Sequence, residues 1–215
     1  IEYLCYEPLL ERHPLTWEPT VPRLASHWKI SDDKKKFWFR INPDARFSDG
    51  RRVTADDVVA TWFLRMDETI LSPSEQVDFD RYEEPIAESM YIVSVVTKEA
   101  NWRNFKIFAY DNTVLPAHYL DQVDGAEFLE EYQFKMMPGT GPYIIRDEDI
   151  FNQESYKLTR RDDFWGKDLP QNRYRYNFDA INFFVIKGND ALTFEKYKKG
   201  EFDYYEVSRS RVWIE

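Results

Sequence analysis

The segment Pro138–Tyr143 constrains the fold most, because it concentrates residues that restrict the backbone. It reads Pro-Gly-Thr-Gly-Pro-Tyr and holds two of the seven glycines and two of the eleven prolines. Proline fixes φ and removes a hydrogen-bond donor, while glycine allows positive φ or close approach of another segment. A phosphate-binding loop would need Lys and Ser or Thr after its glycines, at the start of a helix. Pro142 follows instead, so we predict a rigid turn that launches a strand at Tyr143.

The residues before this turn predict strands and helices in alternation. Lys36–Ile41 alternates large apolar and polar side chains, which is typical of a strand. The polar turn at 31–35 would join it to a preceding strand as a hairpin. Thr54, with Asp57 three residues later, is typical of a helix N-terminus. The carboxylate at that position is expected to stabilise the helix rather than to bind a metal.

The middle of the chain gives weaker patterns. We predict that Met90–Thr97 and Phe105–Tyr110 are two strands of a second hairpin. The polar stretch 71–80 is predicted to be a loop. Short helices are expected near residues 117–120 and 126–132.

After the turn, the patterns predict three strands at 143–146, 155–161 and 181–185. A helix capped by Asn189 or Asp190 is expected to run to Gly200. The segment Phe202–Val207 is then predicted to be a strand parallel to an earlier one, because the helical connection is long enough for a crossover. The whole pattern indicates a mixed α/β chain.

Charge and hydropathy exclude two classes of partner. The formal net charge is −10 and the calculated pI is near 4.9. Nucleic acids and anionic membranes attract clustered Lys and Arg, so we expect neither as a partner. The sequence has no run of about 18 apolar residues, so no direct insertion into a membrane is expected.

No enzyme motif stands out in the sequence. The single cysteine, Cys5, is expected to be a buried, inert thiol. His13, His27 and His118 are too far apart to show the spacing of a zinc site. We therefore predict no catalytic residue, no metal site and no cofactor. The 17% aromatic content and 39 acidic residues leave a carbohydrate-active protein as an open alternative.

Several longer motifs resemble one known family. Pro22–Asp33 followed by Phe37–Val58 is similar to the hairpin and helix of the family 5 extracellular solute-binding proteins of ABC importers. Gly139–Tyr143 resembles the Gly-(Thr/Ser)-Gly-Pro-Tyr motif of that family. Phe164–Pro170 and Phe194–Asp203 are most similar to its oligopeptide and microcin C binders.

The resemblance implies a type II periplasmic-binding-protein fold, in which two lobes close over a ligand. It maps the chain onto most of lobe I, with lobe II missing. Residues 1–133 would form the extra subdomain of lobe I, 134–207 part of its core sheet, and 208–215 the start of the crossover. Because the chain begins at Ile1 and stops at Glu215 without a tail, we expect it to be part of a longer protein.

The same resemblance implies a function without catalysis. The full-length protein would carry a signal peptide, reside in the periplasm or outside the cell, and deliver an oligopeptide or peptide-like ligand to an inner-membrane ABC permease. The candidate ligand-binding residues, at the cleft or hinge, are Gly139, Thr140, Gly141 and Tyr143. A turn that only packs the core sheet is the alternative for these four. A ligand-sensing domain of a transcriptional regulator is the alternative for the whole chain.

Overall fold

A computed structural model describes residues 2–13, 15–151, 153–186 and 190–207. The mixed α/β prediction is confirmed. In chain order the elements are α1 (Glu2–Cys5), β1 (Leu10–Arg12), β2 (Pro19–Pro22), β3 (Ala25–Ile30), β4 (Lys36–Ile41), α2 (Ala55–Met66), α3 (Pro73–Phe79), β5 (Ile86–Ser89), β6 (Ile92–Val96), α4 (Trp102–Tyr110), α5 (Ala117–Leu120), α6 (Gly125–Tyr132), β7 (Tyr143–Ile144), β8 (Ile150–Phe151), β9 (Ser155–Arg160), β10 (Ala180–Phe184) and α7 (Asp190–Lys198).

The first large sheet is antiparallel, with the strand order β3-β4-β6-β5. The predicted hairpin of β3 and β4 is confirmed, and Trp28 lies opposite Phe39 in it. Alternate side chains of β4 face inward, so that Phe37, Phe39 and Ile41 are at most 2% exposed. Their burial under helices α2 and α4 forms the main core of the described chain.

Helix α2 begins where the sequence predicts. The Asp57 carboxylate accepts a hydrogen bond from the backbone N–H of Thr54 at 2.7 Å. Its second oxygen accepts from the N–H of Ala117 at 2.8 Å. The one carboxylate therefore caps α2 and also holds the start of α5 against it. This supports the structural role expected for Asp57.

Two predictions in the middle of the chain are wrong. Phe105–Tyr110 belongs to helix α4, not to a strand. The Asn101 side chain accepts a hydrogen bond from the N–H of Arg103 and so caps that helix. Phe105 and Phe108, three residues apart, both pack against Phe39.

The predicted loop at 71–80 contains helix α3. Pro73 occupies its first turn, where proline loses no helical hydrogen bond. Phe79 at its end is 2% exposed and packs near Tyr82. One buried ring at the end of a polar stretch is enough to hold this short helix against the core.

The second large sheet is also antiparallel. β9 pairs with β10 on one side and with β7 and β8 on the other. Tyr143 and Leu158 are buried on one face of it, together with Cys5 from helix α1. The beginning of the described chain therefore packs on a sheet formed more than a hundred residues later.

The end of the described chain matches its prediction only in part. Helix α7 is present, and Gly200 follows it with φ of +74°, which suits a helix C-terminus. Asn189, one proposed cap, lies outside the described residues, as do 208–215. Residues 202–207 form no strand, so the predicted parallel crossover is wrong for the described chain.

Within the described ranges, no helix combines the length and the apolar character needed to cross a bilayer. The longest, α2, has 12 residues.

Candidate functional site

The predicted site segment crosses directly over the beginning of the chain. Gly141 N–H donates to the carbonyl of Cys5 at 2.8 Å, and the Thr140 hydroxyl accepts from Glu7 N–H at 2.8 Å. A Cβ placed on Gly139 would lie only 2.2 Å from the Cys5 oxygen. Glycine is required here because the two backbone segments touch and leave no room for a Cβ atom.

The remaining polar groups of this segment are also used inside the protein. Tyr143 is 1% exposed, and its hydroxyl donates to the carbonyl of Phe178 at 2.9 Å. The Arg161 guanidinium donates to the carbonyls of Gly139 and Gly141 at 3.1 and 3.0 Å. All four candidate residues are thus buried and in contact with their own chain: Gly139, Thr140, Gly141 and Tyr143. Their ligand-binding role stays a prediction.

A buried carboxylate lies beside this crossing. The Glu7 side chain is 3% exposed and accepts a hydrogen bond from the Trp165 indole N–H at 2.8 Å. Arg23 approaches its other oxygen to 3.6 Å, which is too long for a hydrogen bond. Burial raises the pKa of Glu7 to about 7, although Arg23 and Trp165 both favour the ionised form.

Arg23 connects Glu7 to a wider ionic network. It forms an ion pair with Glu11 at 2.5 Å and donates to the side chains of Asn172 and Tyr176. Arg175 donates to both oxygens of Glu11, at 2.8 and 2.9 Å. Paired charges of this kind are satisfied within the fold. The network joins the segment 7–23 to the loop 165–176.

A second, more exposed group of side chains lies on the other side of β1. We call Tyr3, Arg12, Tyr110 and Asp111 the Arg12 cluster. The Arg12 guanidinium lies 4.0 Å from the centre of the Tyr110 ring, and Tyr3 stacks on that ring at 5.1 Å. Tyr3 is 42% exposed, and the side chains of Arg12 and Asp111 are 27% and 38% exposed.

The Asp111 carboxylate accepts one hydrogen bond from Arg12 at 3.2 Å. Its partial burial raises its pKa, while Arg12 acts in the opposite direction. Sequence reasoning missed this cluster, because Phe105–Tyr110 was predicted to be a strand and no motif links positions so far apart. Only the end of α4 brings Tyr110 and Asp111 to β1.

A shallow apolar groove of about 320 Å³ lies between residues 132–136 and the second sheet. Its walls include four rings and two aliphatic side chains: Tyr6, Tyr132, Phe134, Ile145, Ile150 and Tyr156. The groove is close to the crossing at Gly141 but separate from the Arg12 cluster. It can hold an apolar side chain.

Within the described residues, the arrangement of side chains favours neither a metal site nor a reactive thiol. No group of three or more His, Cys, Asp or Glu side chains is placed there to hold a metal ion. Cys5 is buried, as predicted, and burial raises the pKa of its thiol to about 12. A thiol with so high a pKa is a poor nucleophile at neutral pH.

The model of the bacterial extracellular solute-binding proteins, family 5, middle region, matches residues 19–213. The chain belongs to this family, which confirms the resemblance seen in the sequence. Its relatives include the peptidoglycan-binding protein YepA of Agrobacterium fabrum, 30% identical over 202 residues, which cover 94% of this chain and 32% of YepA. The probable peptide-binding protein YejA of the same organism is 26% identical over 214 residues, or 98% of this chain and 34% of YejA.

The fold is also similar to solved structures. The oligopeptide-binding protein AppA from Bacillus subtilis, solved in complex with a nonapeptide, superposes with a TM-score of 0.76 at 22% identity. The match covers 96% of this chain and 38% of AppA. The chain thus spans about a third of the length of the relatives it matches.

Proposed function

We propose that the full-length gene product captures peptides or peptide-like solutes for an inner-membrane ABC importer. The observation that carries this proposal is the family match over residues 19–213. The relationship to a peptidoglycan-binding protein and to a probable peptide-binding protein favours ligands that contain peptide bonds.

The proposed mechanism is the closure of two lobes around the ligand. A ligand that contacts both lobes binds the closed state more tightly than the open one, and so shifts the population toward closure. In this proposal the chain is one wall of the cleft, with residues 1–133 as the extra subdomain of lobe I, 134–207 as part of its core sheet and 208–215 as the start of the crossover. The opposite lobe would come from the remaining length seen in the relatives.

Within this wall, we propose that one group of residues contacts the ligand and another supports the hinge. The Arg12 cluster offers a partly exposed cation beside the half-exposed ring of Tyr3, which suits a peptide ligand. The segment holding Gly139, Thr140, Gly141 and Tyr143 is proposed to support the hinge side of the wall through its packing. No group of this chain would carry out catalysis, so the ligand would be released unchanged.

The proposed location is the periplasm or the cell exterior, in association with the permease. This location fits a family of extracellular solute-binding proteins. The full-length reading frame provides a direct check, because it should begin with a signal peptide. A helix-turn-helix segment in that position would contradict the importer and favour a transcriptional regulator.

Calorimetry of the full-length protein would test the binding function. We expect binding heat with synthetic tetra-alanine and with peptides released from peptidoglycan, and none with free alanine or a linear glucose oligosaccharide. Free alanine is the matched control, because it has the same side chain and termini but no peptide bond. Binding of the oligosaccharide without the peptides would contradict the proposal.

A further inference from the structure

Arg12 is held in one orientation by aromatic rings. Its guanidinium lies over the face of Tyr110 at 4.0 Å, and Tyr3 stacks on the same ring with an interplanar angle of 16°. These three residues come from α4, β1 and α1, which are separate in sequence. A guanidinium fixed in this way loses little freedom when it binds an acceptor.

The hydrogen-bonding capacity of Arg12 is mostly unused. In the described part of the chain, only Nη2 has an acceptor, the Asp111 carboxylate at 3.2 Å. Nε has no acceptor but is itself buried, so a ligand would bind the terminal nitrogens of the guanidinium. Arg175 provides a contrast, because both of its terminal nitrogens donate to the two oxygens of Glu11. A guanidinium and a carboxylate pair best through two parallel hydrogen bonds. The single contact with Asp111 is therefore exchangeable, whereas the Arg175 pair is complete.

The acidic character of the chain makes an accessible cation a candidate binding group for an anionic ligand. This chain carries a formal net charge of −10, so the average field of this part of the protein repels anionic ligands. Binding of a carboxylate then requires a local cation that is accessible and not already satisfied. Arg12 meets both conditions, because its side chain is 27% exposed and Asp111, the one acid paired with it among the described residues, is itself 38% exposed.

We propose that the Arg12 cluster is a subsite for a carboxylate of the bound peptide. Arg12 pairs with that carboxylate in place of Asp111, while the stacked rings of Tyr110 and Tyr3 hold the guanidinium in position. This inference rests on the proposed peptide-binding function. The carboxylate belongs either to the C-terminus of the ligand or to an acidic side chain, and the two sources present the same chemistry to Arg12.

Four synthetic peptides separate these sources in calorimetry of the full-length protein. Tetra-alanine is compared with its C-terminal amide, and Ala-Ala-Glu-Ala amide with Ala-Ala-Gln-Ala amide. We expect the carboxylate member of at least one pair to bind more tightly. In the Arg12→Gln variant that peptide should bind about 10- to 100-fold more weakly, as expected for loss of a charged hydrogen-bond partner. Its neutral counterpart should be little affected.

The matched control is Arg40→Gln. Arg40 is an exposed arginine on β4, on the face of the first sheet opposite to the one that α4 covers. This substitution removes the same charge and should leave all four affinities unchanged. If Arg12→Gln fails to fold, Arg12→Lys keeps the charge but loses the planar donors, and it should still lose several-fold in affinity for the carboxylate peptide.

The outcomes distinguish failure of this subsite from failure of the proposed peptide-binding function. If the wild-type protein binds all four peptides equally, or if the Arg12 variants keep the preference for a carboxylate, peptide binding stands and the subsite is disproved. If the wild-type protein binds none of the four, the subsite fails together with the peptide-binding function.

Discussion

Glu7 shows how burial can outweigh favourable partners in setting the pKa of a single residue. Its carboxylate accepts a hydrogen bond from Trp165 and lies near Arg23, yet its pKa is raised to about 7. The folded protein therefore holds a proton on Glu7 more tightly than the unfolded chain, where the pKa is near 4.5. Because Glu7 binds more protons in the folded state between these two values, its contribution to the free energy of unfolding falls as pH rises through that window.

We predict that this fall in stability between about pH 4.5 and 7 depends on Glu7. The Glu7→Gln variant cannot ionise and should lose that part of the pH dependence, while keeping an acceptor for Trp165. Urea unfolding at several pH values would measure the effect. Glu18→Gln, at an exposed position, should retain the wild-type slope. A Glu7→Gln variant with an unchanged slope in this window would refute the assignment.

At the scale of elements, the sequence predicted those whose signals are local. The alternation in Lys36–Ile41 and the acidic N-terminus of α2 both depend on neighbours within a few residues. Helix α4 was missed because its aromatic run fits a strand as well as a helix. What decides between them is the packing of Phe105 and Phe108 against Phe39, which lies more than sixty residues earlier.

The N-terminal cap of helix α4 can be tested by substitution of Asn101. Asn101 accepts a hydrogen bond from the N–H of Arg103 at 2.9 Å. Asn101→Ala should lower the free energy of unfolding by about 1 kcal/mol, and Asn101→Ser should lower it by much less, because serine also caps helices. Thermal or urea unfolding would measure both. Equal effects of the two substitutions would argue against a capped helix at this position.

At the scale of the whole molecule, the crossing at Gly139–Gly141 joins the beginning of the described chain to the start of the second sheet. The sequence predicted that this segment is a turn before a strand, which the structure confirms at β7. It could not reveal what the turn packs against, since Cys5 and Glu7 carry no signal of a partner so distant in sequence. The same limit applies to the Arg12 cluster, whose members only the folded chain brings together.

Gly141→Ala tests this crossing. The added Cβ would lie 2.3 Å from the Leu4 oxygen, so one backbone must move. We expect a loss of about 2 to 4 kcal/mol in the free energy of unfolding, in the range of severe packing defects.

Gly50→Ala is the matched control for that substitution. No atom lies within 4 Å of a Cβ at Gly50, and only its φ of +86° opposes the change. This strain should cost about 1 to 2 kcal/mol. If Gly141→Ala were tolerated as well as Gly50→Ala, the close backbone approach would be wrong.

The placement of α1 against β7 and β9 also has a consequence for folding kinetics. Tyr6 donates to the Met137 carbonyl, and Glu7 N–H to Thr140, across separations of 131 and 133 residues. Such contacts raise the contact order of the chain, and high contact order slows folding. During synthesis α1 emerges long before these partners exist, so Leu4, Cys5 and Tyr6 cannot complete their packing until residues 137–161 have been made. The small core between α1 and the second sheet is therefore completed only after most of the described chain has been synthesised, whereas the buried residues of the main core lie within 9–114.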